Sequence, residues 1–267
     1  MSEFLASPAG EWLHLLVRWA HVFAGILWIG ATYYFTWLDG RMHDPKEGGQ
    51  VWMVHSGGFY VVRKESRADL SRPLHWFRWE AALTWLTGAL LVVLVYYLGG
   101  VMVDDEVAKL SNATAVAIGA GALALAWPVY ELLWRSPLGR DARVGVVASY
   151  ALAVAVAYGL THVLSGRAAY LHVGAMFGTI MAGNVWFGIL PAQKALLAAI
   201  REGREPDPTL AERAKRRSKH NTFLVMPVVF TMIGNHFPTA TYGHRYNWAI
   251  LAVLILGGWI AAKFVRE

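Results

Sequence analysis

The sequence contains no cysteine among its 267 residues. This absence excludes disulfides, iron–sulfur clusters and zinc sites built from thiolates. It also excludes covalent attachment of haem through a Cys-x-x-Cys-His motif. A metal or a haem in this protein would therefore need ligands other than thiolates.

Charged residues are scarce as well. Asp, Glu, Lys and Arg make up 16% of the chain, whereas hydrophobic residues make up 56%, including 13 Trp, 11 Tyr and 11 Phe. The mean hydropathy is +0.38. This composition predicts one polytopic membrane domain over residues 1–267 rather than a soluble globule. The net charge of +6 resides in a few loops, so we expect no nucleic-acid partner.

Seven apolar segments approach the roughly 20 residues that a membrane-spanning helix needs. They predict an all-α integral membrane fold, a bundle of seven transmembrane helices. The start of the chain, MSEFLASPAGEW, has no basic region before the first apolar run, so no cleaved signal peptide is expected. The predicted spans are 12–38, 79–103, 112–134, 143–164, 168–197, 221–238 and 246–264.

The distribution of basic residues predicts the orientation of the bundle. Seven Lys and Arg fall between residues 39 and 78 and seven between 198 and 220, whereas the segments after spans two, four and six hold one each. By the positive-inside rule, the N-terminus lies outside and the C-terminus inside, with both long loops in the cytoplasm. A bacterial inner membrane, crossed several times, is the expected location.

This topology sorts the histidines into two layers. His14, His21, His162, His172 and His236 fall in the outer half, and His75 and His220 stand at the cytoplasmic boundary. Ionisable side chains inside a membrane are usually functional. A weak internal repeat accompanies the layers: spans one and two carry His21 and His75, and spans five and six carry His172 and His220, as a duplicated helix pair would.

Two neutral imidazoles on facing helices are how a helical bundle holds a b-type haem without cysteine. Small residues would leave room for the macrocycle, and these spans contain Gly25, Gly30, Gly174, Gly178 and Gly183. The alternative is that the glycines only allow close helix packing and that each histidine bonds to a neighbouring helix.

Further polar residues lie at the inner boundary. Two roles are open for Glu80 and Glu131: each could form a structural ion pair or take part in a proton relay. The first long loop contains HSGGFYVVRK at 55–64, whose aromatic and basic residues could bind a flat anion. The run from Arg213 to Lys219 is better explained as an orientation signal.

Four strings carry a family resemblance: GGFYVVRK at 57–64, LHWFRWEA at 74–81, FGTIMAGNVWFGILPAQ at 177–193 and RSKHNTFLVMPVVFTMIGNHFP at 217–238. They resemble the membrane domain of the cytochrome c-linked, membrane-bound urate oxidases (urate hydroxylases) of bacteria. The resemblance covers essentially the whole chain in the same order. The Lys-His-Asn…Asn-His-Phe-Pro helix is its most specific part.

The resemblance implies oxidation of urate to 5-hydroxyisourate, with water as the oxygen source and two electrons leaving through the protein. Family members carry a further helix and a C-terminal cytochrome c domain, which this sequence does not contain. Either a separate cytochrome c or a quinone therefore accepts the electrons, or the activity has diverged from that of the family. The other partners expected are urate or a related purine and membrane lipid, and a homo-oligomer stays open.

These considerations give a specific site hypothesis at the cytoplasmic boundary. His75 or His220, assisted by Glu80, removes protons, while Tyr60, Arg63, Lys64 and Asn221 bind urate. One or two haem b groups accept the electrons, with His21 and His172 as ligands and His236 and His162 in reserve. If the substrate bound in the outer leaflet instead, Asn235 and His236 would be the catalytic pair.

Two other functions are compatible with the same sequence. A b-type cytochrome subunit that only transfers electrons would need the haem ligands but no purine site. A purine or anion transporter would need discontinuous helices near the midplane, for which Pro128 and Pro227 are the only hints.

Overall fold

The computed structural model describes residues 7–43, 49–65 and 67–266, and these residues are mostly helical. Two helices contain π-helical turns: α2 continues through Val92–Tyr97, and α5 runs through Asn184–Ile189 directly into α6. The helices are α1 (Pro8–Met42), α2 (Trp79–Leu91), α3 (Asn112–Arg135), α4 (Ala142–Thr161), α5 (Gly166–Gly183), α6 (Leu190–Arg201), α7 (Pro208–Gly234) and α8 (Asn247–Arg266).

Local sequence explains where most of these helices begin. A Ser or Asp precedes each of five helices, and its side-chain oxygen accepts a hydrogen bond from a backbone N–H in the first turn. Pro8 and Pro208 then occupy the first helical position, where a missing N–H costs nothing. The capping residues are Ser7, Ser111, Asp141, Ser165 and Asp207.

Six helical stretches of the described chain are long and apolar enough to cross a membrane. They are compatible with a multi-pass membrane protein and coincide with six of the seven predicted spans. The remaining span, 221–238, overlaps the second half of α7, which ends at Gly234 and whose first half is strongly charged. This span stays a prediction, as does the orientation. The six stretches are Pro8–Met42, Trp79–Tyr97, Asn112–Arg135, Ala142–Thr161, Gly166–Arg201 and Asn247–Arg266.

The long helix formed by α5 and α6 is the centre of the bundle. In its most apolar stretch 56% of the residues are buried, against 6% in α1. Helix α1 instead exposes large apolar side chains, among them Trp12, Trp19 and Ile26. Such a surface is unfavourable in water and is compatible with contact to membrane lipid.

Hydrogen bonds between different helices and their flanking segments mark the two ends of the bundle. At one end, Tyr33 of α1 donates a hydrogen bond to the carbonyl of Thr222 in α7, and Arg266 of α8 donates to the Thr222 hydroxyl. At the other end, Ser165 before α5 donates to the Val101 carbonyl after α2. We call these the inner and outer ends, after the predicted orientation.

The first long loop contains a β-hairpin that the all-α prediction did not include. Strands β1 (Gln50–His55) and β2 (Gly58–Arg63) pair antiparallel, with His55 opposite Gly58. Ser56 and Gly57 between them both have positive φ, 49° and 73°. A two-residue turn of this kind matches the twist of the flanking strands, which explains why Ser-Gly sits there.

Helices α3 and α7 continue through their internal prolines, Pro128 and Pro227. The discontinuous helices that a transporter of this kind would need are therefore not present at these two positions. The proposed duplication stays untested: α1 packs on α2 and α5 on α7, but no hydrogen bond or ring contact among the described residues joins His21 to His172 or His75 to His220.

Candidate functional site

A buried polar cluster lies near the inner end, where α3, α5 and α7 meet. The Tyr130 hydroxyl shares a hydrogen bond of 2.5 Å with His220 Nδ1 and accepts one of 3.2 Å from Asn184 Nδ2. Asn184 Nδ2 also donates to Asn221 Oδ1 at 2.9 Å, and Asn221 Nδ2 donates to the Met181 carbonyl at 3.0 Å. We call Tyr130, Asn184, Arg217, His220 and Asn221 the inner cluster.

The π-helical turn of α5 begins at Asn184, the most buried member of this cluster. Its side chain is 0% exposed. Turns of this type are frequent at functional sites because the extra residue redirects side chains. Asn184 Oδ1 has no hydrogen-bond partner among the described residues. A buried acceptor without a partner is costly to maintain, and it is available to a ligand.

Arg217 is the charged member of the inner cluster. It is 6% exposed, pairs through Nη2 with Glu131, and lies with its guanidinium carbon 4.9 Å from the centre of the Tyr130 ring. Glu131 also accepts from Arg135 Nε at 2.6 Å. Within the described chain, Arg217 Nη1 has no partner, so a buried cationic donor remains available.

His220 is uncharged at physiological pH. Burial, followed by the positive charges of Arg217, Arg216 and Lys219, lowers the pKa of His220 to about 3. Its ring lies 4.2 Å from that of Trp134, centre to centre. A neutral imidazole can accept a proton, and a negative charge bound beside it would raise its pKa and strengthen it as a base.

A groove of about 590 Å³ opens next to the inner cluster, between the end of α3 and the start of α7. Trp134 lines the groove, and its ring touches that of His220. None of the side chains that line it is acidic. They are Trp134, Arg135, Ser136, Gly139, Arg140, Arg213, Arg216 and Arg217, which we call the arginine groove.

A second buried histidine, His172, lies toward the outer end and is 0% exposed. Its Nδ1 is 2.7 Å from the Ala168 carbonyl, and its Nε2 is 3.3 Å from the Tyr97 hydroxyl. The Tyr97 ring, from the π-helical turn after α2, stacks on it at 5.7 Å. On the other side, the ring abuts Gly119 of α3.

His21 is half-buried on the seam between α1 and α2. Its Nδ1 is 3.0 Å from the Thr84 carbonyl and 3.2 Å from the Thr87 hydroxyl, and its ring packs on Gly88. It therefore bonds to the neighbouring helix, which is the packing role that the sequence left open as an alternative.

The family model described as Urate oxidase N-terminal matches residues 7–267. The chain belongs to the urate oxidase N-terminal family. Neither a curated protein nor a solved structure matches it. Membership supports a urate-related oxidoreductase and confirms the family resemblance at that level.

Of the residues proposed for this urate oxidase relative from sequence, the structure brings His220 and Asn221 together in the inner cluster. Tyr60, Arg63 and Lys64 lie instead on the exposed hairpin. There Arg63 donates to Gln50 at 2.9 Å and Lys64 pairs with Asp39 of α1 at 2.5 Å. Their role in substrate binding stays a prediction, since no described hydrogen bond or ion pair links them to the inner cluster.

His75 and Glu80 lie away from the inner cluster. His75 is exposed before α2 and packs edge-on against Phe77 at 4.6 Å. Glu80 lines an apolar groove of about 290 Å³ between α1 and α2, and its Oε2 has no partner among the described residues. Arg78 lies over Trp76 and Trp79 rather than pairing with Glu80.

The four histidines proposed as haem ligands occupy different environments. His162 is exposed after α4, with Nδ1 2.7 Å from the Tyr158 carbonyl, and His236 is exposed after α7. In the part of the chain that the structure describes, no three His, Asp or Glu side chains group as a metal site.

His21 and His172 have the donor chemistry of an axial haem ligand. Each holds Nδ1 against a backbone carbonyl, which places the proton on Nδ1 and leaves the lone pair on Nε2, as in ligating histidines. At His172 this Nε2 faces the Tyr97 hydroxyl and packs against Gly119. Were His172 to hold a haem, its Nε2 would have to give up the hydrogen bond with Tyr97. Two of the glycines expected to make room for a macrocycle, Gly174 and Gly183, are instead packed against Thr231 and Trp127.

Three residues of the inner cluster were not predicted from the sequence as site residues: Tyr130, Asn184 and Arg217. Asn184 had a readable signal, since it is a polar residue inside an otherwise apolar span. Arg217 stood in a run of basic residues interpreted only as an orientation signal, and it is in fact buried and paired with Glu131. Tyr130 had no signal, because tyrosines are common at span ends.

The contact between Gly119 and His172 gives a prediction for stability. A Cβ at Gly119 would lie 2.6 Å from His172 Nε2 and 3.0 Å from Met102 Cε. Gly119→Ala is therefore expected to destabilise the protein by about 1–3 kcal/mol through overpacking. Gly121→Ala on the same helix is the control, because nothing lies within 4 Å of its Cβ. Equal melting temperatures for the two variants would contradict the prediction.

Proposed function

We propose that this chain oxidises urate to 5-hydroxyisourate in the bacterial inner membrane. Urate and water give 5-hydroxyisourate, two protons and two electrons, and the new oxygen comes from water. The electrons pass to a separate acceptor, a cytochrome c or a quinone. Membership of the urate oxidase N-terminal family and the apolar helices support this proposal.

The observation that carries the proposal is the pair of unsatisfied atoms in the inner cluster. Asn184 Oδ1 is a buried acceptor and Arg217 Nη1 a buried donor, both without partners among the described residues. Urate presents N–H donors and carbonyl acceptors along the edges of one plane and carries a negative charge at neutral pH. Its edges and its charge therefore complement both atoms.

His220 is the residue we assign to proton removal. It is neutral before the substrate binds, and the urate anion beside it favours its protonated form. Tyr130 positions the imidazole through the bond to Nδ1, and Asn221 holds Asn184 in place. His75 and Glu80 are separate from these residues and belong to the proposal only as carriers of protons at the inner surface.

Haem b is the cofactor we propose, with His21 and His172 as the residues that would hold it. When bound, it would supply a site that accepts electrons one at a time. His162 and His236 remain reserve ligands. The chain contributes the fixed tautomers of His21 and His172 and the burial of His172.

Anaerobic addition of urate to the purified, oxidised protein tests the proposal. We expect the absorption spectrum of oxidised haem to change to that of reduced haem as urate is consumed. The product should be 5-hydroxyisourate. A haem that urate cannot reduce would favour an electron-transfer subunit without a purine site. A colourless protein that moves urate across vesicles unchanged would favour a transporter.

A further inference from the structure

Apart from Arg217, the residues of the arginine groove have no function in the chemistry described above. Five guanidinium groups line it, from Arg135, Arg140, Arg213, Arg216 and Arg217, together with the indole of Trp134. A concentration of one charge in a concave surface raises the local concentration of counter-ions. The groove is therefore built to attract an anion.

Most of this charge is not neutralised by the protein. Glu131 pairs with Arg135 and Arg217. In the described part of the chain, no ion pair includes Arg140, Arg213 or Arg216. Like charges repel when no anion is bound, so the arrangement costs stability that an anion would restore.

A second, independent observation connects the groove with the inner cluster. Arg217 lines the groove, yet it is 6% exposed and keeps Nη1 buried without a partner. Trp134 also lines the groove, and its ring contacts that of His220. One anion could therefore contact arginines at the mouth and reach the Arg217 donor at the inner side.

We propose that the arginine groove binds the urate monoanion from the inner surface and delivers it to His220. This inference rests on the proposed function. Planar guanidinium groups suit a flat anion because they bond to its edge oxygens in pairs and stack on its face. A neutral purine would lack the charge on which this capture depends.

The phosphate of an anionic lipid could use the same arginines, because basic residues at an inner membrane surface attract such lipids. The two ligands differ in what competes with them. Urate in the groove is displaced by other small planar anions, whereas a lipid phosphate is displaced by vesicles of phosphatidylglycerol.

Equilibrium dialysis of the detergent-purified full chain against urate, without an electron acceptor, tests the inference. The variant Arg140→Gln/Arg213→Gln removes two exposed guanidinium groups. We expect its Kd for urate to rise roughly tenfold at low salt, with a smaller effect at high salt. Binding of hypoxanthine, which is uncharged at neutral pH, should not change.

Arg204→Gln is the matched control. Arg204 is an exposed arginine in the loop between α6 and α7, where it bonds to Glu202 rather than to the groove. The Arg204→Gln variant should bind urate with the same Kd as the parent chain. Elution on a sizing column checks that each variant is folded.

Three results would overturn the inference: unchanged urate binding in the double variant, equal loss in Arg204→Gln, or displacement of bound urate by phosphatidylglycerol vesicles but not by other small planar anions. The proposed function fails separately. If the groove variants lose urate binding but the parent chain never oxidises urate, the inference about the groove is supported and the proposed oxidase function is wrong.

Discussion

Replacing His220 by glutamine is expected to lower kcat for urate oxidation by roughly 10²–10⁴-fold, the usual contribution of a positioned acid or base. Glutamine retains a polar side chain that can still bond to Tyr130, but it cannot accept a proton at neutral pH. The Kd for urate should change little, because Arg217, Asn184 and Asn221 remain. Anaerobic single-turnover kinetics, which follow urate absorbance, measure the effect.

His244→Gln serves as the control for this experiment. His244 is exposed in the outer loop before α8 and accepts a hydrogen bond from the Tyr246 backbone N–H at 3.1 Å. It should retain full activity. If the His220→Gln variant turns over urate at the parental rate, His220 does not take part in the reaction.

The pH profile distinguishes His220 from an ordinary histidine. Since its pKa in the free protein is lowered to about 3, kcat/KM should show no inflection from this residue near pH 6.5. Arg217, Arg216 and Lys219 favour the neutral form. Bound urate opposes them, so an inflection in kcat should lie at a higher pH than that of the free protein.

Replacing Arg217 by methionine should produce the largest loss of stability, about 3 kcal/mol, because it leaves the Glu131 carboxylate without its buried partner. The remaining pair with Arg135 is mostly exposed and compensates little, since the Arg135 side chain is 64% exposed. Thermal unfolding followed by tryptophan fluorescence should show a melting temperature lower by roughly 6–12 °C.

Two further variants separate the ion pair from other effects of this change. Arg135→Met removes the exposed partner and should cost less than about 1 kcal/mol. Glu131→Gln in the Arg217→Met background removes the unpaired charge and should recover part of the stability. If that double variant is no more stable than Arg217→Met, the loss comes from packing on Tyr130 rather than from the ion pair.

Much of the architecture followed from the sequence because membrane helices obey a simple rule: about 20 apolar residues cross the hydrocarbon. Six of the predicted spans correspond to apolar helices. The span at 221–238 was harder, because α7 begins far outside it, at Pro208. The hairpin at 50–63 was missed because the segment HSGGFYVVRK was interpreted as a ligand-binding loop rather than as a turn and a strand.

The candidate site was only half predictable. His220 and Asn221 attract attention because they are polar residues at the start of an apolar run. Their partners Tyr130 and Asn184 lie 90 and 37 residues away along the chain. No local pattern connects residues at such separations, because the packing of α3 and α5 against α7 creates the contacts.

The sequence by itself determined that this chain forms apolar helices, that it contains no thiolate ligands, and which family it belongs to. These properties follow from composition and from the order of residues. Only the tertiary structure decided which polar atoms are buried, which of them lack partners, and that Arg217 reaches the interior while its neighbours line a groove. Burial and hydrogen bonding depend on distances between helices, and a linear pattern does not contain those distances.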